Sequence, residues 1–244
     1  MNILIPMAGL GSRFEGSRFI GPKFLIDICG KPMIQRAIEA FTSKVENARF
    51  LFVLRRTKDI DRIVNILENV CANLRIKIVD EITSGPTDTC LAMKEYINNQ
   101  EELIIANCDQ IMFWDFKKFL HCVRYPDVDG AIVTYTSTTP KNSYAEIDQR
   151  GNVKRIKEKV VISDISLNGI HYWKHGRDFV ESAMEMMENK DTAPNGEFYV
   201  GPTYNYLINN GKNISIYHVA NFQHNAVGVP DDLEKFLRKY YESL

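Results

Sequence analysis

Short apolar runs and longer stretches of helical periodicity take turns along the first half of the chain. Residues 2–6 read as a strand buried on both faces and ended by Pro6. Residues 7–28 hold neither period and read as a glycine-bearing loop. A helix is predicted to open near Lys31-Pro32, with proline in its first turn and Ile34, Ala37, Ile38 and Phe41 at helical spacing. Residues 50–54 form a second buried strand. Ile60, Ile63, Val64, Leu67 and Cys71 make the stripe of a second helix. A third strand at 76–79 leads to the loop Thr83-Ser84-Gly85-Pro86-Thr87, which opens a helix running to about Ile97. A fourth strand at 103–107 runs into Cys108-Asp109-Gln110.

This βαβαβαβ alternation argues an α/β fold with a mostly parallel sheet and helices on both faces. Ligands of such sheets bind at the carboxyl ends of the strands. The loop from Gly9 to Lys23, the Gly85 loop and Asp109 all fall at those ends. The second half changes character. Residues 131–137 are β-rich, and segments 144–148 and 153–157 flank Arg150-Gly151-Asn152 as a hairpin. Residues 165–173 read as another strand, 176–189 and 197–210 as helices, and 214–217 as a returning strand. Pro230-Asp231-Asp232 starts a final helix. No linker, biased segment or repeat divides the chain. The expectation is one domain over 1–244, with a nucleotide-binding half (1–125) and a substrate-binding half (126–244).

Composition narrows the classes. The chain has 244 residues, 45% apolar and 25% charged, with a formal net charge of −1. No global field recruits nucleic acid or an acidic membrane, so anion binding must be local. The five cysteines include no Cys-x-x-Cys pair, which argues against a zinc site or a disulfide framework and fits a reducing cytoplasm. No run is long enough to span a bilayer, and no signal peptide is visible. Trp114, Trp173 and most other aromatics read as core. His171, His175, His218, His224 and Cys108 lack ligand spacing and read as structural or exposed.

The candidate chemistry starts at Gly9-Leu10-Gly11-Ser12-Arg13-Phe14, after the first strand. A glycine turn there lets backbone N–H groups approach a ligand and form an anion cavity. Arg13, Arg18 and Lys23 in the same loop make a polyanion, a nucleoside triphosphate, the expected guest. The plain alternative is an ordinary turn with solvated cations. A dinucleotide fingerprint is disfavoured, because Phe14 occupies the third glycine position and Arg55 and Arg56 follow the second strand. No Gly-Lys-Ser/Thr follows Gly11, so a Walker loop is absent. Asp109 reads either as a metal ligand or as a turn former, Asp115 as a helix cap, and Glu158-Lys159 either as a site or as a solvated hairpin edge.

Three segments together carry a resemblance: Gly9 to Phe14, then Pro22-Lys23-Phe24-Leu25, then Gly30-Lys31-Pro32-Met33. They resemble the signature of the nucleoside-diphosphate-sugar pyrophosphorylases, sugar-phosphate nucleotidyltransferases with a glycosyltransferase-A-like fold. Later segments agree in order: Ser84-Gly85-Pro86, Asn107-Cys108-Asp109-Gln110, Glu158-Lys159, Asn168-Gly169-Ile170, Glu197-Phe198-Tyr199 and residues 228–233. The resemblance implies a three-layer α/β/α, Rossmann-like fold on a mostly parallel mixed sheet. It implies Mg²⁺-dependent transfer of a nucleotidyl group to a sugar 1-phosphate or related phosphate ester, for surface-polysaccharide synthesis.

By the same resemblance Arg13 and Lys23 are catalytic, and Ala8, Gly9, Leu10, Gly11, Ser12, Arg13, Ser84, Gly85, Thr87 and Asp109 bind the nucleotide. Asn107, Glu158, Lys159, Asn168, Gly169 and Glu197 bind the substrate, and Asp109 holds Mg²⁺. Two departures stand out. Ala226 occupies a position where many relatives carry a second magnesium-binding Asp, and Val229 replaces a threonine. No appended left-handed β-helix is expected within these 244 residues. Base, sugar and homo-oligomeric state stay open at this level. So do two rivals, an NDP-sugar-using glycosyltransferase and a non-catalytic nucleotide-binding regulator on the same fold.

Overall fold

The computed structural model describes residues 1–42 and 47–242. The first strand, β1 (Asn2–Met7), lies at the middle of a nine-stranded sheet. After a loop with two 3-10 turns come the two-residue strands β2 (Asp27–Ile28) and β3 (Lys31–Pro32) and helix α1 (Met33–Thr42). Lys31 and Pro32 pair with Asp27 and Ile28 as a small antiparallel ribbon, so the helix expected at Lys31 begins at Met33. Next are β4 (Arg49–Arg55), α2 (Ile60–Val70), β5 (Leu74–Val79), α3 (Pro86–Leu91), α4 (Lys94–Ile97), β6 (Leu103–Ala106), β7 (Gln110–Met112) and α5 (Phe116–Val123). The helix expected up to Ile97 is thus two short pieces.

The second half contains β8 (Gly130–Thr136), β9 (Ser143–Ile147), β10 (Val153–Glu158), β11 (Ile165–Trp173), α6 (Gly176–Glu188), α7 (Thr203–Asn209), β12 (Ile214–His218), β13 (His224–Ala226) and α8 (Pro230–Glu242). Strands β5, β4, β1 and β6 run parallel side by side. Strand β11 continues the sheet antiparallel to β6 and to β8, and β12 lies parallel beside β8. The expected hairpin is present as β9–β10. The result is a mixed, mostly parallel sheet, as the alternation implied.

Strand alternation sorts the core into two layers. Ile3, Ile5, Met7, Phe50, Phe52 and Ile104 face Ile34 and Ile38 of α1, Leu67 of α2 and Phe119 of α5. Leu4, Leu51, Leu103, Ile105 and Trp173 face Met93, Phe179 of α6 and Tyr204 of α7. Strands β1, β4 and β6 therefore bury both faces, which is why their sequences read as continuous apolar runs. A smaller cluster joins Phe14 of the glycine loop to Ile28, Met33, Ile111 and Val227, and to Leu233 and Phe236 of α8. It ties the loop after β1 to the ribbon formed by β7 and β13. Among the described residues no helix is long and apolar enough to cross a membrane.

Candidate active site

Parallel strands deliver their following loops to one edge of the sheet. Strand β1 delivers Ala8 through Arg13, and β6 delivers Asn107 through Asp109. Gly11 takes a left-handed φ of 70°, and a Cβ there would stand 3.2 Å from Lys23 Cβ. The turn and the lysine stem thus pack directly. The Lys23 ammonium donates to Asp109 Oδ2 as a close ion pair, with side chains only 10% and 21% exposed. On the far side Gly228 abuts the same carboxylate oxygen so closely that a Cβ would collide with it. Val227 N–H donates to the Asp109 carbonyl at 2.9 Å. Arg13, Ser12, Gly9 and Leu10 stay exposed, while Ala8 is buried.

The charges act on each other. Burial alone would raise the Asp109 carboxyl, but the Lys23 ammonium and the Arg13 guanidinium hold it below the usual carboxylate range. Burial would lower Lys23, yet Asp109 outweighs burial and raises it. Cys108 beside them is pushed up to about 12 by burial and by Asp109, so it remains a neutral thiol. His224 is pulled down to about 4 by burial, against Asp109 and Asp232. Its ring lies 4.0 Å from that of Tyr135, and its Nδ1 is 2.9 Å from Gln110 Nε2. That is the structural role expected of it.

The Gly85 loop is welded to the second half of the chain. Gly85 has φ +139°, and a Cβ there would meet Phe198 N and O, each at 2.6 Å. Thr87 N–H donates to Phe198 O at 3.1 Å, and Phe198 N–H donates to Ser84 O at 3.0 Å. Ser84 N–H and Oγ both bind Asp88 Oδ2, at 2.8 and 2.9 Å. Thr87 Oγ1 is buried without a hydrogen-bond partner among the described residues. Residues 197–202, expected to open a helix, are instead irregular or turning, and helix α7 starts at Thr203. The two backbone bonds to the Gly85 loop account for this.

Glu197 and Tyr199 flank Phe198. Tyr199 OH donates to Glu197 Oε2 at 2.6 Å and accepts from Lys159 Nζ at 2.7 Å. Asn195 Nδ2 reaches both Glu197 Oε2 and Tyr199 OH, at 2.8 and 3.2 Å. The Tyr199 hydrogen bond, working against burial, holds Glu197 below the usual range, helped by Asn195, Lys159 and Arg13. Glu158 is buried, accepts a short bond from Ser143 Oγ, and is raised by burial and by Glu197. Asn107 and Gly169 are in contact: Asn107 N–H donates to Gly169 O at 3.1 Å, and a Cβ on Gly169 would strike the Asn107 carboxamide. Asn168 Oδ1 caps Ile170 N–H at 2.9 Å from a buried position.

The sequence-predicted residues therefore converge on one edge. They make one charged cluster (Arg13, Lys23, Asp109) and a second (Glu158, Lys159, Glu197), coupled electrically through Arg13 and Glu197. Sequence reasoning missed Tyr199, Asn195, Ser143 and Gly228. Tyr199 and Gly228 had a signal, their places inside the Glu197-Phe198-Tyr199 and 228–233 matches. Among the described residues no group of three or more His, Cys, Asp and Glu side chains could hold a metal ion.

Comparison with known proteins gives consistent findings. The MobA-like NTP transferase domain matches residues 3–164. The bifunctional protein GlmU of Thermodesulfovibrio yellowstonii is 26% identical over 99% of this chain and 52% of its own length. A mannose-1-phosphate guanyltransferase of Hypocrea jecorina is 27% identical over 66% of this chain and 45% of its own. The chain thus spans about half the length of these relatives. The crystal structure of a nucleoside-diphosphate-sugar pyrophosphorylase from Vibrio cholerae superposes with a TM-score of 0.85 at 25% identity, covering 97% of this chain and 99% of that one. A UDP-glucose pyrophosphorylase complexed with UDP-glucose shares the fold, with a TM-score of 0.80 at 17% identity, covering 100% of this chain and 99% of that one.

Proposed function

The chain belongs to the MobA-like NTP transferase domain family, and on that premise we propose that it transfers a nucleoside monophosphate from an NTP to a sugar 1-phosphate or a related phosphate ester. The observation that carries this reading is the Lys23–Asp109 pair with Arg13 beside it, facing the Glu158–Lys159–Glu197 side across one sheet edge. An oxygen of the acceptor's phosphate attacks the α-phosphorus, and the bond to pyrophosphate breaks in line. The nucleophile is already an anion, so no general base is needed. The obstacle is bringing two polyanions together, which positioning and charge neutralisation overcome.

Arg13 and Lys23 neutralise the α-phosphoryl group and the leaving pyrophosphate, with the backbone of residues 8–12 around the triphosphate. The Gly85 loop, with Ser84 and Thr87, reads the base. Lys159 takes the acceptor's phosphate. Glu158, Glu197, Asn107, Asn168 and Gly169 shape the acceptor pocket, with Glu158 and Glu197 offering carboxylates to hydroxyl groups.

Asp109 is the side chain that would hold Mg²⁺. The donor set there is one carboxylate bordered by Gly228, with Ala226 where a second acid would stand. That set fits an ion that brings most of its ligands with the nucleotide, because Mg²⁺ is commonly held by one or two carboxylates plus substrate phosphates. The ion supplies charge neutralisation on the phosphates when bound.

The same reading takes residues 1–244 as one domain, supported by the sheet that passes through both halves. It places an activated NDP-sugar in surface-polysaccharide synthesis, which rests on the resemblance alone, and the protein in the cytoplasm, which its free cysteines fit. Pyrophosphate release across all nucleoside triphosphates, with a panel of sugar 1-phosphates and alditol or choline phosphates, tests it. Release from one pair is expected. Intact triphosphate binding with no release from any pair would leave the nucleotide-binding regulator that Ala226 favours.

A further inference from the structure

Resting on that reaction, the geometry points to Tyr199 as the positioning residue that keeps the Lys159 ammonium available for the acceptor's phosphate. Lys159 is not free to choose its place. It follows strand β10 with a left-handed φ of 56°, unusual for a side chain of its size, and its N–H is fixed to Asn142 O at 3.0 Å. The ammonium then reaches 40 residues along the chain to the Tyr199 hydroxyl, and it lies 4.7 Å from the centre of that ring.

The hydroxyl has three partners, accepting from Lys159 and Asn195 and donating to Glu197. A single oxygen therefore stands between cation and carboxylate. A lysine paired directly with Glu197 would have its charge spent in the pair. Held through a hydroxyl oxygen it uses one of its three N–H donors, and two remain for a phosphate. Asn195 holds the other end of the bridge, donating to both Glu197 and Tyr199.

The bridge also has a fixed origin. The backbone of Phe198, between the two side chains, is bonded on both sides to the Gly85 loop. Tyr199 therefore sets the distance between the part of the site that reads the nucleotide and the cation that receives the acceptor. Removing the hydroxyl leaves those backbone bonds in place and lets Lys159 close onto Glu197.

Tyr199→Phe keeps the ring and removes the bridge. Two measurements are made, steady-state kinetics on a pair found to turn over and calorimetric titration of inorganic phosphate. The expected result is a rise in acceptor KM of about tenfold, with kcat and the NTP KM within about twofold of wild type. Phosphate affinity falls in parallel. Tyr199→Phe has no further effect in a Lys159→Ala background, because it acts through that lysine. Asn195→Ala, in an exposed turn, shifts the acceptor KM the same way by a smaller factor. Equal rises in both KM values, or effects of Tyr199→Phe and Lys159→Ala that simply add, would overturn the proposal. If the wild type turns over no pair, the reaction reading fails. Phosphate titration of the four proteins of the cycle then decides the tyrosine's role, a Lys159-dependent loss supporting it and an unchanged affinity overturning it.

Discussion

Lys23 and Asp109 stand 86 residues apart and meet as a close ion pair, the lysine carried by the loop after β1 and the aspartate by the loop after β6. Each perturbs the other in the direction that keeps both charged. On the proposed reading a phosphate or metal ligand must compete for groups that already satisfy each other. Removing only one partner of a buried pair leaves the other charge uncompensated.

Lys23→Met keeps the apolar stem and removes the charge. Turnover should fall by about 10²–10³, the usual loss when one stabilising donor is taken from a reacting centre, and the melting temperature at neutral pH should drop. The pH dependence has a definite sign. Asp109, lowered in the folded state, contributes stability that is present above the ordinary carboxylate range and is lost as pH falls through its depressed value. Lys23, raised, contributes stability present below the ordinary lysine range and lost as pH rises through its raised value. The gap between wild type and variant in urea midpoint should therefore be widest near neutrality and close at both extremes. A gap independent of pH would mean that the pair does not stabilise the fold.

Gly85→Ala probes the joint between the two halves. The added Cβ meets the Phe198 backbone at 2.6 Å in a region of φ that other residues avoid. Strain of about 1–3 kcal/mol is expected, together with loss of the bonds that align Tyr199 and Glu197. Both nucleotide binding and acceptor KM should deteriorate, where Tyr199→Phe moves only the acceptor. Calorimetric titration with an NTP and thermal melting read this directly; wild-type NTP affinity would show that the joint is not part of the nucleotide site.

Much of this was legible in the sequence, for a physical reason. Strand β11 is found at its expected limits, and β1, β4 and β6 lie within a residue or two of theirs, because a strand buried on both faces needs an unbroken apolar run. The convergence of Arg13, Lys23 and Asp109 followed from parallel topology alone. What failed was decided by tertiary bonds. Lys31–Pro32 pair with Asp27–Ile28 rather than starting α1, and Glu197-Phe198-Tyr199 stay outside α7, with the Phe198 backbone bonded to Ser84 and Thr87. The Lys159–Tyr199 contact joins residues 40 apart, so no local period could announce it.

Glu158→Gln separates stability from recognition. The carboxyl is buried with one short bond from Ser143, and burial together with Glu197 raises its pKa in the folded state. A raised acid costs stability once pH exceeds its ordinary range, and the cost grows until the folded group ionises. The glutamine variant should be more stable than wild type at neutral pH, and that advantage should disappear near pH 4. Its acceptor KM should rise if the carboxylate accepts substrate hydroxyls. A variant less stable than wild type at pH 7 would show that Glu158 is held chiefly by its hydrogen bond to Ser143.

Ala226→Asp tests how few protein ligands this site uses. Ala226 lies opposite Gln110 in the β7–β13 ribbon, immediately after Asp109, and the next residue's N–H binds the Asp109 carbonyl. The position is exposed, so a carboxylate there should be tolerated by the fold. With one acid, the wild type should bind Mn²⁺ weakly in the absence of nucleotide and much more firmly with an NTP present, since phosphates then supply the missing oxygens. A second carboxylate beside Asp109 should tighten nucleotide-free Mn²⁺ binding by about tenfold or more, following ligand charge count, and shrink the gain on adding NTP. Electron paramagnetic resonance of free Mn²⁺ measures both without turnover. Equal affinities in the two proteins would mean that residue 226 does not face the Asp109 carboxylate, and that the second ligand must be sought on another element, with Glu197 the first side chain to replace.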